Sequence, residues 1–311
     1  MAVRGESDVS REHRHSTADG SRPKTFWSQL FVAARLKSRF REPGLLWGLL
    51  LLTGVIGFVL LAPLLSGYDA NGINLASPFA GASAQHLLGT DELGRDTLTR
   101  LAVGGRTSLL LSGTATGLAA ASGIWLGLLS GYIGGALDLA LQRLVELVIG
   151  VPTLVLAIAV VSVIPDRTLG VVLSATVVAI PAYVRLTRGV AVSIVATDYV
   201  VSARVLGART ARLLRRYVLP NALGPLLVQI SFGLGQSLLL ISGLGFLGVG
   251  ISPPQAEWGT MASDAIQYLS NDPLLEILPG VAIMLVTLST NLIGDGLRDA
   301  LDPRSHSRVS R

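Results

Sequence analysis

The sequence has no cysteine, which removes disulfide frameworks, thiolate nucleophiles and cysteine metal sites together. Lysine is almost as scarce. Among 25 basic side chains only Lys24 and Lys37 are lysines, and neither ends a glycine-rich turn, so a phosphate-binding loop is excluded from this chain. The four histidines, His13, His15, His86 and His306, all lie outside the long apolar runs, against a histidine metal centre or a Ser-His pair at membrane depth. Charge as a whole is short: 14% of the residues are charged, where soluble domains carry roughly 25%. With half of the residues hydrophobic, this is a chain built for a bilayer. The formal charge of +5 does not point to nucleic acid, because the arginines cluster beside apolar runs and aromatics make up only 5% of the chain, instead of interleaving on a basic soluble surface.

What is present is a series of apolar runs, each near the ~20 residues needed to cross a bilayer. Residues 1–25 are polar, rich in Ser, Arg and His, and are expected to be disordered; the first apolar run starts too late for a cleaved signal. Residues 26–43 place Phe26, Leu30, Ala33 and Ala34 among Arg35, Lys37 and Arg39, the pattern of an amphipathic interfacial helix. Residues 44–66 form the first span. An external loop, 67–104, carries Asp69, Asp91, Glu92 and Asp96 against Arg95 and Arg100. Residues 105–294 hold five further spans, expected at 107–129, 137–164, 169–186, 223–249 and 274–293, with a loop at 189–221 between the fourth and fifth of the six. Residues 295–311 are the tail.

Nine Lys or Arg precede the first span and the segment 198–221 holds five arginines, whereas 251–272 has no Lys or Arg. The positive-inside bias therefore places both termini and the 189–221 loop in the cytoplasm. The expected fold is an all-α membrane protein with six transmembrane helices. No Asp, Glu, Lys or His falls near the middle of an expected span, which excludes an intramembrane proton relay. Glycines four apart, Gly113 with Gly117 and Gly123 with Gly127, are expected to let helices approach closely, as are Gly243, Gly245, Gly248 and Gly250 near the end of the fifth span.

The stretch from Asp198 to Asn221 is more structured than a loop between spans requires. Tyr199 to Leu206 reads as a short helix, which Gly207 ends. Ala208 to Tyr217 resumes helical character with Leu213, Leu214, Tyr217 and Val218 on one side, and Leu219-Pro220-Asn221 is expected to stop this second helix. Read from its residues alone, the segment suits docking to a protein and lying on anionic lipid equally well. The acidic stretch from Thr90 to Asp96 is expected to cap a short amphipathic helix through Asp91 or Asp96, with Arg95 and Arg100 paired to neighbouring acids.

The spacing Ser202-Ala203, Gly207, Tyr217 and Leu219-Pro220 resembles the "EAA loop" by which the membrane subunits of ABC importers dock on their ATPases; Val201 stands where that family usually has glutamate and Ser202 replaces the first alanine. His86-Leu87-Leu88-Gly89-Thr90-Asp91-Glu92-Leu93-Gly94-Arg95-Asp96, Phe246-Leu247-Gly248-Val249-Gly250 with Pro253-Pro254 and Trp258-Gly259, and Asn291 to Arg304 are similar to segments of the C-type permease subunits of dipeptide, oligopeptide and nickel importers. The resemblance runs from about Leu30 to Arg304. It implies a type I ABC importer permease fold in a bacterial inner (plasma) membrane, a homologous B-type permease partner, two ATP-binding subunits that hold ATP and Mg so that this chain needs no cofactor, and an external substrate-binding protein, which the acidic stretch could contact.

It further implies that Tyr199, Ser202, Ala203, Arg204, Gly207, Ala208, Leu219 and Pro220 form the ATPase-docking surface. Gly207 would shape the turn, Ala203 allow close contact, Arg204 supply polar contacts and Pro220 fix the exit into the fifth span. No catalytic or metal residue is implied. Many relatives carry a glutamate near the position of Ile241, which this chain lacks. The expected function is import of dipeptides or short oligopeptides; nickel or another small solute is the alternative within the family, and a lipid-bound membrane scaffold the alternative outside it.

Overall fold

The computed structural model describes residues 42–301. The expectations for residues 1–25, for nearly all of 26–43 and for the tail beyond Leu301 lie outside the described residues. Among those described, the backbone is helical apart from loops and one isolated bridge between Thr90 and Asp96. Five helices are long and apolar enough to cross a membrane, or six if a sharply bent pair counts as one crossing.

Helix α1, Pro43–Ser66, opens with proline, whose missing N–H costs nothing in a first turn. Pro63 lies inside it and leaves the Val59 carbonyl without its usual donor. Arg106 of the next helix fills that place, donating from Nε to Val59 O at 3.0 Å and from Nη2 to Leu60 O at 2.9 Å. In a bilayer, where no water reaches the backbone, such a donor is what makes the proline tolerable. Much of the rest of α1 exposes large apolar side chains such as Leu46, Trp47, Leu50 and Leu61, a surface suited to lipid tails.

Helix α2, Thr97–Ile133, starts ten residues before the expected span. The reason is its cap: the Asp96 carboxylate accepts from Thr99 N at 2.9 Å, and the polar first turns are buried against neighbours, so hydropathy alone hides them. The expected continuous span over 137–164 is instead two helices, α3 (Gly135–Gly150) and α4 (Thr153–Val163), bent by 99°. Pro152 is the cause, since it removes a donor and forces Val151 out of helical geometry (ψ 135°). Helix α5, Arg167–Val195, is capped by Asp166 and runs nine residues past the expected end.

Two short helices follow, α6 (Asp198–Val205) and α7 (Thr210–Leu213), and then a five-residue π turn, Leu214–Val218, that passes directly into α8, Leu219–Phe246. The expected stop at Leu219-Pro220-Asn221 does not occur. The wider π turn ends just before Pro220, so the proline occupies the first turn of α8, where it needs no intrahelical acceptor. Between α8 and the last helix, α10 (Leu274–Leu301), the segment read as an external loop contains another helix, α9 (Trp258–Ala265), ending in a 3-10 turn.

The tightest packing is α2 on α5. A Cβ added at Gly123 would lie 2.5 Å from the Tyr183 Cβ; at Gly127 it would lie 2.7 Å from both the Thr187 Cβ and the Val184 carbonyl oxygen; at Gly131 it would lie 2.6 Å from the Ala191 Cβ. Three glycines four residues apart thus form a strip on which α5 lies flush. Gly113 and Gly117 have the same spacing but face open space, with nothing within 4 Å, so that expected pair does not pack within this chain. Gly127→Val is therefore expected to destabilise the bundle by about 1–3 kcal/mol through overpacking, whereas Gly117→Val leaves the thermal midpoint in detergent unchanged to within about 2 °C.

Candidate functional site

At one end of the bundle, α6 is held by a single apolar peg, the fully buried Val200, and by Thr197, whose hydroxyl donates to Ile194 O at 2.6 Å. Gly207 then takes φ +80°, the left-handed conformation that closes a helix. The N–H of Gly207 donates to Arg204 O and that of Ala208 to Ala203 O, each at 3.0 Å, satisfying carbonyls at the helix end. Leu213, Leu214 and Val218 are buried, the latter two in one apolar cluster with Leu128 and Ala191, so α7 and the π turn are anchored on α2 and α5.

Of the residues assigned to docking, Tyr199, Ser202 and Arg204 are exposed with Gly207, and Ala203, Ala208, Leu219 and Pro220 are half-buried. Tyr199 stacks at 6.0 Å on Tyr217. The Arg204 guanidinium lies 5.2 Å over the Tyr132 ring, a contact the sequence did not suggest. The most exposed apolar side chains here are Val205 (82%) and Leu206 (86%), which sequence reasoning passed over as part of the helix pattern. Further along the segment Arg209, Arg212, Arg215 and Arg216 are exposed, and among the described residues no acid pairs with any of them.

Close by, α3 is tied back to the bundle. Arg188 of α5 donates from Nε and Nη2 to the two Asp138 oxygens at 2.6 and 2.7 Å, and the Ser130 hydroxyl of α2 donates to Asp138 Oδ1 at 2.5 Å. Three helices meet at one carboxylate.

The opposite end holds a knot of charge. Asp91 Oδ2 accepts from Arg95 Nε at 2.6 Å and faces Arg100 Nε at 3.2 Å, while Glu92 takes Arg95 Nη2 at 2.6 Å. His86 Nδ1 lies 2.9 Å from Asp96 Oδ1. Burial, ahead of repulsion from Asp91, raises the Glu92 carboxyl above the ordinary value; burial does the same to Asp264, against the pull of Arg100 and Arg95. The cavity beside these groups is about 30 Å³, room for little more than a water molecule. The arginines are committed to the acids as expected, but Asp96 caps the long α2 rather than a short helix.

Glu257 is a site residue that the sequence did not disclose. It is 1% exposed, yet its carboxylate has a full set of donors: Oε1 accepts from Ser108 Oγ (2.9 Å), Gly259 N (2.9 Å) and Ser242 Oγ (3.3 Å), and Oε2 accepts from Thr260 N (2.9 Å). Trp258 beside it is fully buried and donates from Nε1 to Leu101 O at 2.8 Å. One carboxylate thus caps α9 and joins it to α2 and α8.

Between these two ends, α4, α5 and α8 border a half-open cavity of about 340 Å³ lined by Thr153, Tyr183, Gln229, Gln236 and Ser237 together with alanine, valine, leucine and glycine. No Asp, Glu, Lys, Arg or His lines it. Nearby Ile241 is 1% exposed within an apolar cluster that includes Leu111, Val171 and Leu244, so it is an apolar core site. Among the described residues, no group of three His, Asp or Glu is arranged to hold a metal ion.

Long apolar crossings, a cavity between them lined by polar but uncharged side chains, and a helical basic segment presented at one end together define a multi-pass membrane transport subunit. Residues 123–307 match the family described as binding-protein-dependent transport system inner membrane component. The chain is 40% identical over 287 residues to the di/tripeptide transport system permease protein DppC of Pseudomonas aeruginosa (strain UCBPP-PA14), covering 90% of this chain and 92% of that one. It is 41% identical over 267 residues to the dipeptide transport system permease protein DppC of Haemophilus influenzae (strain ATCC 51907 / DSM 11121 / KW20 / Rd), covering 84% and 90%. Its fold is similar to a chain of the inward-facing MetNI methionine ABC transporter, with a TM-score of 0.53 at 17% identity over 65% of this chain and 96% of that one. The protein belongs to the binding-protein-dependent transport system inner membrane components, and is a multi-pass protein of the bacterial inner membrane.

Proposed function

We propose that this chain is one of two permease subunits of an ATP-driven importer of dipeptides and other short peptides. The relatives named for di- and tripeptide transport support the substrate class. The observation that carries the mechanism is the exposed pair Val205-Leu206, displayed on a helix pegged to the bundle and followed along the chain by four exposed arginines. An apolar knob at the tip of a polar helix is costly in water and suits a pocket on a soluble partner.

In this reading the partner is an ATP-binding subunit that docks on α6 and α7, with Tyr199, Ser202, Ala203, Arg204, Gly207 and Ala208 at the contact and Leu219 and Pro220 passing motion into α8. The arginine excess sets that end, and with it both termini, in the cytoplasm. Two such ATPases, a homologous second permease and an external binding protein complete the importer. ATP binding and hydrolysis by the partners rock the permease pair, exposing a passage between them first outward and then inward; this chain contributes walls and coupling, and no chemistry.

The test is uptake of a labelled dipeptide by cells with and without the gene. Loss of uptake on deletion, restored by the intact gene and competed by unlabelled di- and tripeptides, is the expected result. Competition by nickel salts and not by peptides would overturn the substrate assignment.

A further inference from the structure

The half-open cavity bordered by α4, α5 and α8 is lined by two side chains whose hydrogen-bonding capacity is unused. Gln229, Gly233, Gln236, Ser237 and Leu240 occupy one face of α8, at helical spacing, and form one wall of the cavity. Ser237 already receives the Thr116 hydroxyl at 3.1 Å, and the Tyr183 hydroxyl points to the Gln229 backbone carbonyl at 3.5 Å. Gln142, in α3, spends its amide on Ser130 at 3.2 Å. Among the described residues, neither the Gln229 nor the Gln236 side-chain amide has a hydrogen-bond partner. Both lie near the middle of a 28-residue helix, Gln229 half-buried and Gln236 exposed at the open side of the cavity, where hydrocarbon offers a polar group nothing, so a polar visitor, water or an adjoining subunit must meet them.

The chemistry of that visitor follows from the lining. A primary amide both donates and accepts, which matches the N–H and C=O of a peptide bond. With no Asp, Glu, Lys, Arg or His in the lining, the cavity holds no charged side chain to neutralise a charge and offers a metal cation no strong ligand. Seven residues of helix separate the two glutamines by about 10.5 Å, the length of about three residues of extended chain at roughly 3.5 Å each. Gly233 lies between them, and a side chain there would run into the Tyr183 hydroxyl, so the wall stays recessed where the middle of a peptide would pass.

We propose that Gln229 and Gln236 are two rungs of a hydrogen-bonding subsite for the backbone amides of a short peptide crossing the bundle, indifferent to its side chains and best matched to three residues. The proposal rests on the peptide-importer reading. It is tested on the assembled complex with its binding protein in proteoliposomes, with labelled dialanine and trialanine as probes. Q229M/Q236M, which keeps length and removes both amides, is expected to lower trialanine uptake about tenfold, the loss of two modest hydrogen bonds, while the complex still purifies with all its subunits. Either single variant is expected to lower trialanine uptake more than dialanine uptake, because dialanine reaches one rung only. Unchanged uptake by the double variant overturns the subsite, as does an equal fall for both peptides in the single variants. Loss of the second permease from the purified double variant also overturns it, since the amides would then belong to a subunit interface. If the unaltered complex carries neither peptide, the importer reading fails instead.

Discussion

Leu206→Asp is expected to abolish peptide uptake while leaving the bundle folded. The side chain is 86% exposed, so its replacement touches no packing and changes stability by no more than about 0.5 kcal/mol. At a docking surface the effect is different. A carboxylate pressed into an apolar pocket on a partner loses its hydration, a cost of several kcal/mol, and about 3 kcal/mol is already more than a hundredfold in affinity. Ala203→Pro tests the same segment through its backbone: proline in the interior of the eight-residue α6 costs about 3 kcal/mol, with insertion in the membrane left intact. Both variants are to be checked by retention of the ATPase subunits and by uptake. Normal uptake by both variants would remove α6 from the coupling path.

Glu257→Ala is expected to have the second large effect, at the other end of the molecule. The substitution strands two hydroxyls and two backbone N–H groups that converge on this carboxylate; a buried donor left without a partner costs about 1–3 kcal/mol, so a loss of about 3–5 kcal/mol is expected. For a chain of this size that corresponds to a fall of roughly 10 °C in the thermal midpoint, measured in detergent. Glu257→Gln keeps the shape but turns one donor against other donors, so an intermediate fall is expected. A midpoint for Glu257→Ala within about 2 °C of the unaltered protein would show that α9 is held by the Trp258 contacts alone.

The contrast between these two sites shows what could be read in advance. The α6 segment is local: its start, the turn at Gly207 and its arginines lie within 24 consecutive residues, so periodicity and turn chemistry disclose it. Glu257 is not local, because the serine donors that explain its burial lie 15 and 149 residues away in sequence. The same distinction runs through the fold. Apolar runs placed the crossings, since bilayer thickness fixes their length. They did not place the bend at Val151-Pro152, because one proline barely changes the hydropathy of its run, nor the early start of α2, whose first turns carry Thr99 and Arg100 paired in space with Asp96, Asp91 and Ala70. Gly113-Gly117 and Gly123-Gly127 are indistinguishable as spacings; only the second lies against α5. The ring geometry of Pro220 marks a helix stop, and does not anticipate that a π turn ending two residues earlier, at Val218, can deliver it to the start of α8.

The central claim, that this chain is the membrane subunit of an importer driven by separate ATPases, is tested most directly by purifying the tagged chain in mild detergent from its native membrane and identifying what accompanies it. The account predicts a second six-span permease and two subunits with phosphate-binding loops, the latter lost from the Leu206→Asp protein. Recovery of the chain alone, under conditions that keep other membrane complexes whole, would contradict it and leave the arginine-rich helices as a lipid-bound surface.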